Sequence, residues 1–343
     1  MKLTENFRQK TRFVANGHLM DSPSFITYSA VVSRDSVRIF LLVEALNDLE
    51  VMGSDIHNAF ISAPNLDKHW IRTGTEFGAE QGKVFIFVHV LYVLKSASTD
   101  FQYFMAKKLD EANFKSCVAD PDVWLRPAVR PDGTEYYEYI LMYVDNILEI
   151  SVDATKILKS LEGNTVQYTN NQIASHNMYL GAKLQEKDIN DVECWTIGSV
   201  EYIQAAIATV KEGLNTKRWK LPNKVSTPMV TSYFWELDGS PELEPDDLKL
   251  YQELIGMLRW ATELVRVDIL HEAFLMSQHQ ASPRDDHPEQ VLHIFSFLKK
   301  KPKLSLYMNP SLTRMNYSVF KTKLEDFKEY YRDAEEEMPH RMP

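Results

Sequence analysis

The stretch "YILMYVDNILEI", residues 139–150, constrains this chain more than any other. Two apolar runs meet at Asp145 and Asn146, residue types that favour turns. The pattern predicts an antiparallel hairpin with strands over 136–144 and 147–152 and with Asp145 and Asn146 at the turn. A second acid, Asp55, ends another strand-like run, "LEVMGSD". On spacing alone, two such acids are most often a helix cap and a turn residue. Brought side by side they would repel, and a shared cation would offset that cost. Mg²⁺ suits such a place, because it takes one or two carboxylates plus substrate phosphates and keeps some water.

Around this unit the chain reads as mixed α/β. "VVSRDSVRIFLLVEAL" has helical spacing from Val31 to Leu46, and "STDFQYFMAKKLDEANF" reads as a second helix with a polar start. "GSDIHNAFISAP" runs from a strand through a turn into a short helix stopped at Pro64, and "VFIFVHVLYVL" has strand-like content. Beyond about residue 190 the pattern is mainly helical, with a Pro- and acid-rich linker around "ELDGSPELEPDD". With 343 residues the chain has ample length for two domains or one multi-lobed one.

Several function classes lose support. There is no G-x-S-x-G, Walker loop or dinucleotide fingerprint, so hydrolase and nucleotide-kinase motifs are missing. His271, His279, His287 and His293 match no zinc spacing and read as solvated helix histidines. The two cysteines, Cys117 and Cys194, fit a reducing compartment better than a disulfide scaffold. The longest apolar run is too short to cross a bilayer, and no signal peptide is visible. The net charge of −10 weakly disfavours a polyanion binder, but charge is segregated: Lys2, Arg8, Lys10 and Arg12 cluster at the start and "LKKKPK" occupies 298–303.

In order, "QKTRFVANGH", "GSDIHNAFISAP", "VHVLYVLKSAS", "FKSCVADPDVWLRP", "YILMYVDNILEI" and "MYLGAKL" resemble the reverse transcriptase of copia-type retrotransposons. "STPM" and "YQELIGMLRWATELVRVDIL" resemble the stretch beyond that domain's palm, so the likeness runs from about residue 8 to about residue 310. It implies an α+β right-hand polymerase fold, with fingers, a palm carrying an antiparallel sheet, and a helical thumb. The expected division is fingers and palm over 1–190, thumb and connection over 191–310, and an acidic tail over 311–343 where the family continues into RNase H.

The resemblance also implies roles. Asp55 and Asp145 match metal-binding aspartates, with the Ile56 carbonyl beside a second ion; two Mg²⁺ are expected, with Mn²⁺ as a substitute. Phe60 matches the aromatic under the incoming sugar, and Lys10 and Arg12 match the basic pair on the triphosphate. Val93 and Lys95 lie in the nucleotide-binding stretch "LYVLKSAS". The implied partners are an RNA or DNA template with its primer and deoxynucleoside triphosphates. The implied location is intracellular: the cytoplasm or a virus-like particle, with the nucleus as an alternative.

Three positions depart from the family pattern. Asn146 occupies the place of the family's second hairpin aspartate, which keeps size and turn preference but loses a negative charge. Val93 replaces a glycine, and Asp100 puts an acid where the family has a small uncharged residue. The sequence therefore predicts an RNA-directed DNA polymerase domain, a nucleotidyltransferase, impaired at its site. The alternative is a non-catalytic nucleic-acid-binding remnant of a retrotransposon polyprotein.

Overall fold

The hairpin forms, and a sheet is built around it. The computed structural model describes residues 2–3, 9–10, 27–162, 178–230, 232–234 and 237–313. Strands β1 (Lys2–Leu3) and β2 (Gln9–Lys10) pair antiparallel. Helix α1 (Arg34–Asn47) starts at Ser33, whose hydroxyl accepts from Ser36 N. Asp120 Oδ2 accepts from Ser33 N at 2.9 Å and from Ser36 Oγ at 2.6 Å, fixing that helix start against a distant loop. β3 (Glu50–Asp55) leads into α2 (Ala59–Ser62), as the strand–turn–helix pattern predicts.

"VFIFVHVLYVL" departs from its expectation. Only β5 (Val84–Ile86) is strand, paired with β4 (Trp70–Arg72) in an isolated two-stranded ribbon. Beyond the strand the run turns into the core: Val90 N donates to the Ala63 carbonyl at 3.1 Å, and Val90, Leu91 and Leu94 are buried in a cluster with the helix that follows. Next come α3 (Ala97–Glu111), β6 (Lys115–Ser116), β7 (Val123–Val129), β8 (Glu135–Tyr143), β9 (Asn146–Ser151) and α4 (Ala154–Leu161). The main sheet is antiparallel with order β3-β9-β8-β7-β6.

Alternation decides what each face of this sheet covers. Ile140, Met142 and Ile147 point into one cluster with Phe101, Met105 and Leu109 of α3 and Leu158 of α4. Leu141, Leu148 and Ile150 point the other way, to Val37 and Leu41 of α1. That second cluster also takes Leu184, Trp195 and Ile197 from a second sheet.

The region after residue 190 is mainly helical, as the pattern predicts, but it also carries two strands, unmarked by that pattern, of a second sheet. β10 (Met178–Tyr179), β11 (Ala182–Asp188), β12 (Glu193–Gly198) and β13 (Ser305–Met308) form it in chain order. The turn joining β11 to β12 falls at the sequence-based boundary of 190/191, and β13 returns to pair with β12. Helices α5 (Val200–Gly213), α6 (Pro245–Leu264), α7 (Leu270–Ser277) and α8 (His287–Lys300) do form as the apolar spacing predicts. They share a core around Tyr251, Leu254, Leu258 and Phe295. The fold is thus α+β: among the described residues it has two larger antiparallel sheets, two two-stranded ribbons and a helical cluster. No helix among the described residues is long and apolar enough to span a membrane.

The histidines are not all solvated. His287 is buried, its ring lies 4.2 Å from that of His279, and its Nδ1 accepts from Arg284 N at 3.0 Å. Burial pushes the His287 imidazole down to about 4, with the His279 ring and Arg284 acting in the same direction and Asp238 opposing them.

Candidate active site at the β3–β9 strand ends

Antiparallel pairing of β3 with β9 sets Asp55 directly opposite Asn146. Directly opposite residues carry their side chains on the same face, with Cβ atoms about 4.5–5.5 Å apart. One residue further on, Ile56 N donates to the Asp145 carbonyl at 2.7 Å, so the strand ends are tied where the hairpin turns. Asp55 and Asp145 are therefore brought together by register across ninety residues of sequence. Asp55 is exposed and Asp145 half-buried, both at the rim of the sheet.

The turn is one residue earlier than the sequence suggests. Tyr143 pairs with Asn146, leaving Val144 and Asp145 as the central residues. Val144 takes φ 55°, an uncommon and costly conformation for a β-branched residue. Asn146 belongs to β9, and its Nδ2 donates to Asp145 Oδ1 at 3.1 Å. An aspartate here could not donate that bond.

Behind the rim lies a group that sequence reading missed. Glu149 is fully buried on β9, and both its carboxylate oxygens lack a hydrogen-bond partner. Burial, then the nearby Glu138 charge, raise its carboxyl well above the usual range, with Arg126 and Ser151 opposing. The signal was available: it is the lone acid inside the apolar run "ILEIS".

Phe60 sits on α2 just past Asp55 and is half-buried. Tyr92 meets its ring edge-on at 5.1 Å and Phe101 at 5.7 Å, which fixes its tilt. Phe101 is marked in the sequence only as an apolar position of its helix, and Tyr92 not at all, although it lies within "LYVLKSAS". Val93 follows Tyr92 in sequence. Val93 is 59% exposed and adopts φ 72°, in the left-handed region where a side chain beyond Cα is unfavourable. Lys95 follows, half-buried, before α3. Asp100 is buried in the first turns of α3, accepting from Ser96 Oγ at 3.1 Å with its other oxygen unpartnered. Burial raises its carboxyl above the usual range, against the Ser96 hydrogen bond. Lys10 lies in β2, and nothing is described of its side chain; Arg12 lies outside the described residues.

The donor set fits a hard divalent cation in a limited way. Asp55 and Asp145 supply carboxylate oxygens at adjoining strand ends, within what Mg²⁺ ordinarily takes from a protein. Asn146 adds only a neutral amide oxygen.

Residues 2–221 match the family model described as "Reverse transcriptase (RNA-dependent DNA polymerase)". The retrovirus-related Pol polyprotein from transposon TNT 1-94 of Nicotiana tabacum is 23% identical over 278 residues, covering 79% of this chain and 20% of that protein. The retrovirus-related Pol polyprotein from transposon RE2 of Arabidopsis thaliana is 22% identical over 311 residues, covering 89% of this chain and 20% of the relative. A putative transposon Ty5-1 protein of Saccharomyces cerevisiae is 27% identical over 161 residues, covering 47% of this chain and 48% of that protein. This chain spans about a fifth of the length of the plant relatives. The family uses divalent metal ions in general. The chain belongs to the reverse transcriptase (RNA-dependent DNA polymerase) family, as a reverse transcriptase domain of the copia-type retrotransposons.

Proposed function

We propose that this domain's chemistry is RNA-directed DNA polymerisation, attack of a primer 3′-hydroxyl on the α-phosphate of a deoxynucleoside triphosphate with cleavage of the α–β bond and release of pyrophosphate, and that Asn146 and Val93 impair it. The single observation that carries the reading is the register that sets Asp55 opposite Asn146 with Asp145 beside it. Two acids from distant segments meet at a sheet rim, where isolated turn residues have no reason to converge.

In this reading Asp55 and Asp145 would hold divalent ions, taken as two Mg²⁺, and the Ile56 carbonyl would offer a further oxygen. When bound, such ions neutralise developing charge on the transferring phosphate and stabilise its attacking and leaving oxygens. Phe60, held at its tilt by Tyr92 and Phe101, supports the sugar and leaves no room for a 2′-hydroxyl. Lys95, together with Lys10 and Arg12, supplies cations for the triphosphate. Asn146 weakens the site twice: it removes one negative charge and its amide donates to Asp145 Oδ1. Val93 adds two methyl groups at a left-handed position where a glycine backbone would come closest to the nucleotide.

The hand-shaped division is part of the same proposal. The main sheet with α1–α4 is the palm, with fingers toward the N-terminus, and α5–α8 form the thumb and connection. Primer extension on a defined RNA template is the test, with Asp55→Asn as the control that must abolish whatever activity is found. A protein that binds primer–template yet never extends it, even when repaired, would instead be a nucleic-acid-binding remnant.

A further inference from the structure

The site at the strand ends uses none of the groups buried where α7 meets α8. His287 opens α8 with its side chain 2% exposed, and its ring lies 4.2 Å from that of His279. His287 Nδ1 accepts from Arg284 N, so the neutral ring carries its proton on Nε2. That nitrogen faces Asp238 Oδ2 at 3.6 Å, too far for a hydrogen bond. The Nε2 atoms of both rings are buried without a hydrogen-bond partner. The Asp238 carboxylate, 1% exposed, accepts from Ser240 N at 2.9 Å, Ser240 Oγ at 2.6 Å and the Tyr233 hydroxyl at 2.9 Å. Burial pushes this carboxyl up, but the bonds from Ser240 and Tyr233 outweigh it and hold the group below the usual range.

This cluster sits under a short backbone clamp. Leu243 N donates to the Pro283 carbonyl at 2.9 Å, and Asp285 N to the Pro241 carbonyl at 3.0 Å. Arg284 Nη1 donates to the Ser240 carbonyl at 2.5 Å. Residues 238–243, which lead into α6, are thereby laid over the turn between α7 and α8. Around His287 stand Asp238 and Tyr233 from that segment, Tyr251 from α6 and His279 from the end of α7. The turn adds Arg284, Asp285 and Asp286, of which Asp285 is already paired with Arg218. One buried carboxylate thus faces two imidazoles and a guanidinium.

Such a junction accommodates protons poorly. A proton on His287 gains Asp238 as a partner, but it sits against the second imidazole and beside Arg284 in a packed interior. Once the segment lifts, both rings reach water and titrate as ordinary imidazoles. We propose that the junction is an acid-sensitive clasp: neutral, the stacked His279–His287 pair holds residues 238–243 over the α7–α8 turn, and protonation releases them. The clasp is remote in sequence from Asp55 and Asp145 and does not depend on the polymerase reading.

The direction follows from linkage. His287 is held down to about 4 by burial, with His279 and Arg284 adding to it and Asp238 opposing. Its support for the closed form is complete above about 6.5 and is lost as pH falls from there toward about 4.

The test is hydrogen–deuterium exchange of the full chain, read by mass spectrometry between about pH 7.5 and about pH 5 and corrected for intrinsic exchange rates. Protection of peptides spanning 237–244 and 282–288 should fall about thirtyfold over that range, while peptides of the β8–β9 hairpin keep theirs. His287→Asn keeps an oxygen that can accept from Arg284 N but cannot titrate, so its fall should shrink to about threefold or less. Carbon-13 shifts of the parent's His287 ring give a reading that needs no variant: the ring should stay neutral down to about pH 5 while the segment is protected. Protection that does not change with pH, or that falls equally in His287→Asn, overturns the clasp. So does a His287 ring that titrates near 6.5 in the protected protein, or a loss shared equally by the β8–β9 peptides, which would be global acid unfolding.

Discussion

Replacing Val93 by glycine and by alanine separates backbone strain from side-chain loss. In an ordinary strand or helix, glycine is the less stable of the two by about 0.5–1 kcal/mol, because it has more conformational freedom to lose. At φ 72° the order should reverse. A Cβ in the left-handed region costs roughly 1–2 kcal/mol, which glycine avoids. Set against the entropic term, the glycine variant should be the more stable by about 0.5–1 kcal/mol. Because Val93 is 59% exposed, truncation to either residue sacrifices little burial, and what it does sacrifice is nearly common to both. For a chain of this size the difference corresponds to a melting shift of about 1–3 °C, measured by thermal unfolding of the two variants side by side. The same glycine variant should extend primers faster than the alanine one, since only glycine restores the close backbone approach. An alanine variant more stable than the glycine variant would show that residue 93 does not hold a left-handed backbone, and the argument for a displaced glycine would fall.

Three further outcomes follow from the same geometry. In a protein with restored activity, Phe60→Ala should raise ribonucleotide incorporation relative to deoxynucleotide incorporation, measured by competitive single-nucleotide extension; unchanged selectivity would mean that Phe60 does not face the sugar. Mn²⁺ should partly substitute for repair of Asn146, since Mg²⁺ demands near-ideal octahedral geometry; equal rates in the two metals would count against a distorted ion site. Glu44 is buried, its carboxyl raised to about 7 chiefly by burial, while its Oε2 accepts from Trp195 Nε1 at 2.5 Å. The folded state then keeps a proton that the unfolded chain has lost, so this group's contribution to stability falls as pH rises from about 4.5 to about 7 and levels off above. Glu44→Gln should gain on the parent across that window in urea unfolding followed by tryptophan fluorescence, and a constant difference would refute the assignment.

How much of this was legible depended on whether a segment's partner was nearby. Strand β3, α2, the β8–β9 hairpin and the four later helices follow from alternation and helical spacing, because each buries a face that its own pattern marks. The turn was misplaced by one residue because Asp and Asn are better turn formers than Val. Pairing of Asp55 with Asn146 overrides that preference and puts Val144 at positive φ. The second sheet was missed for a different reason. β11, "AKLQEKD", is polar along much of its length, and β13 reaches β12 only after more than a hundred residues of helix and loop. The burial of His287 against His279 depends on the junction of α7 with α8, which no single segment encodes. Asp55 and Asp145 could be picked out from family resemblance, yet it is strand register that brings them to one place.

The most direct test is single-nucleotide primer extension on an RNA template by the parent, Asn146→Asp, Val93→Gly and the double change, each with an Asp55→Asn control. Losing a ligand or orienting group at a metal site commonly costs about 10–100-fold, so Asn146→Asp should raise the rate by roughly that factor. Val93→Gly should raise it further, not necessarily additively, because both act on one site. Asp55→Asn should abolish the gain in every background. A folded double variant that binds primer–template but extends it no faster than the parent would contradict the polymerase account.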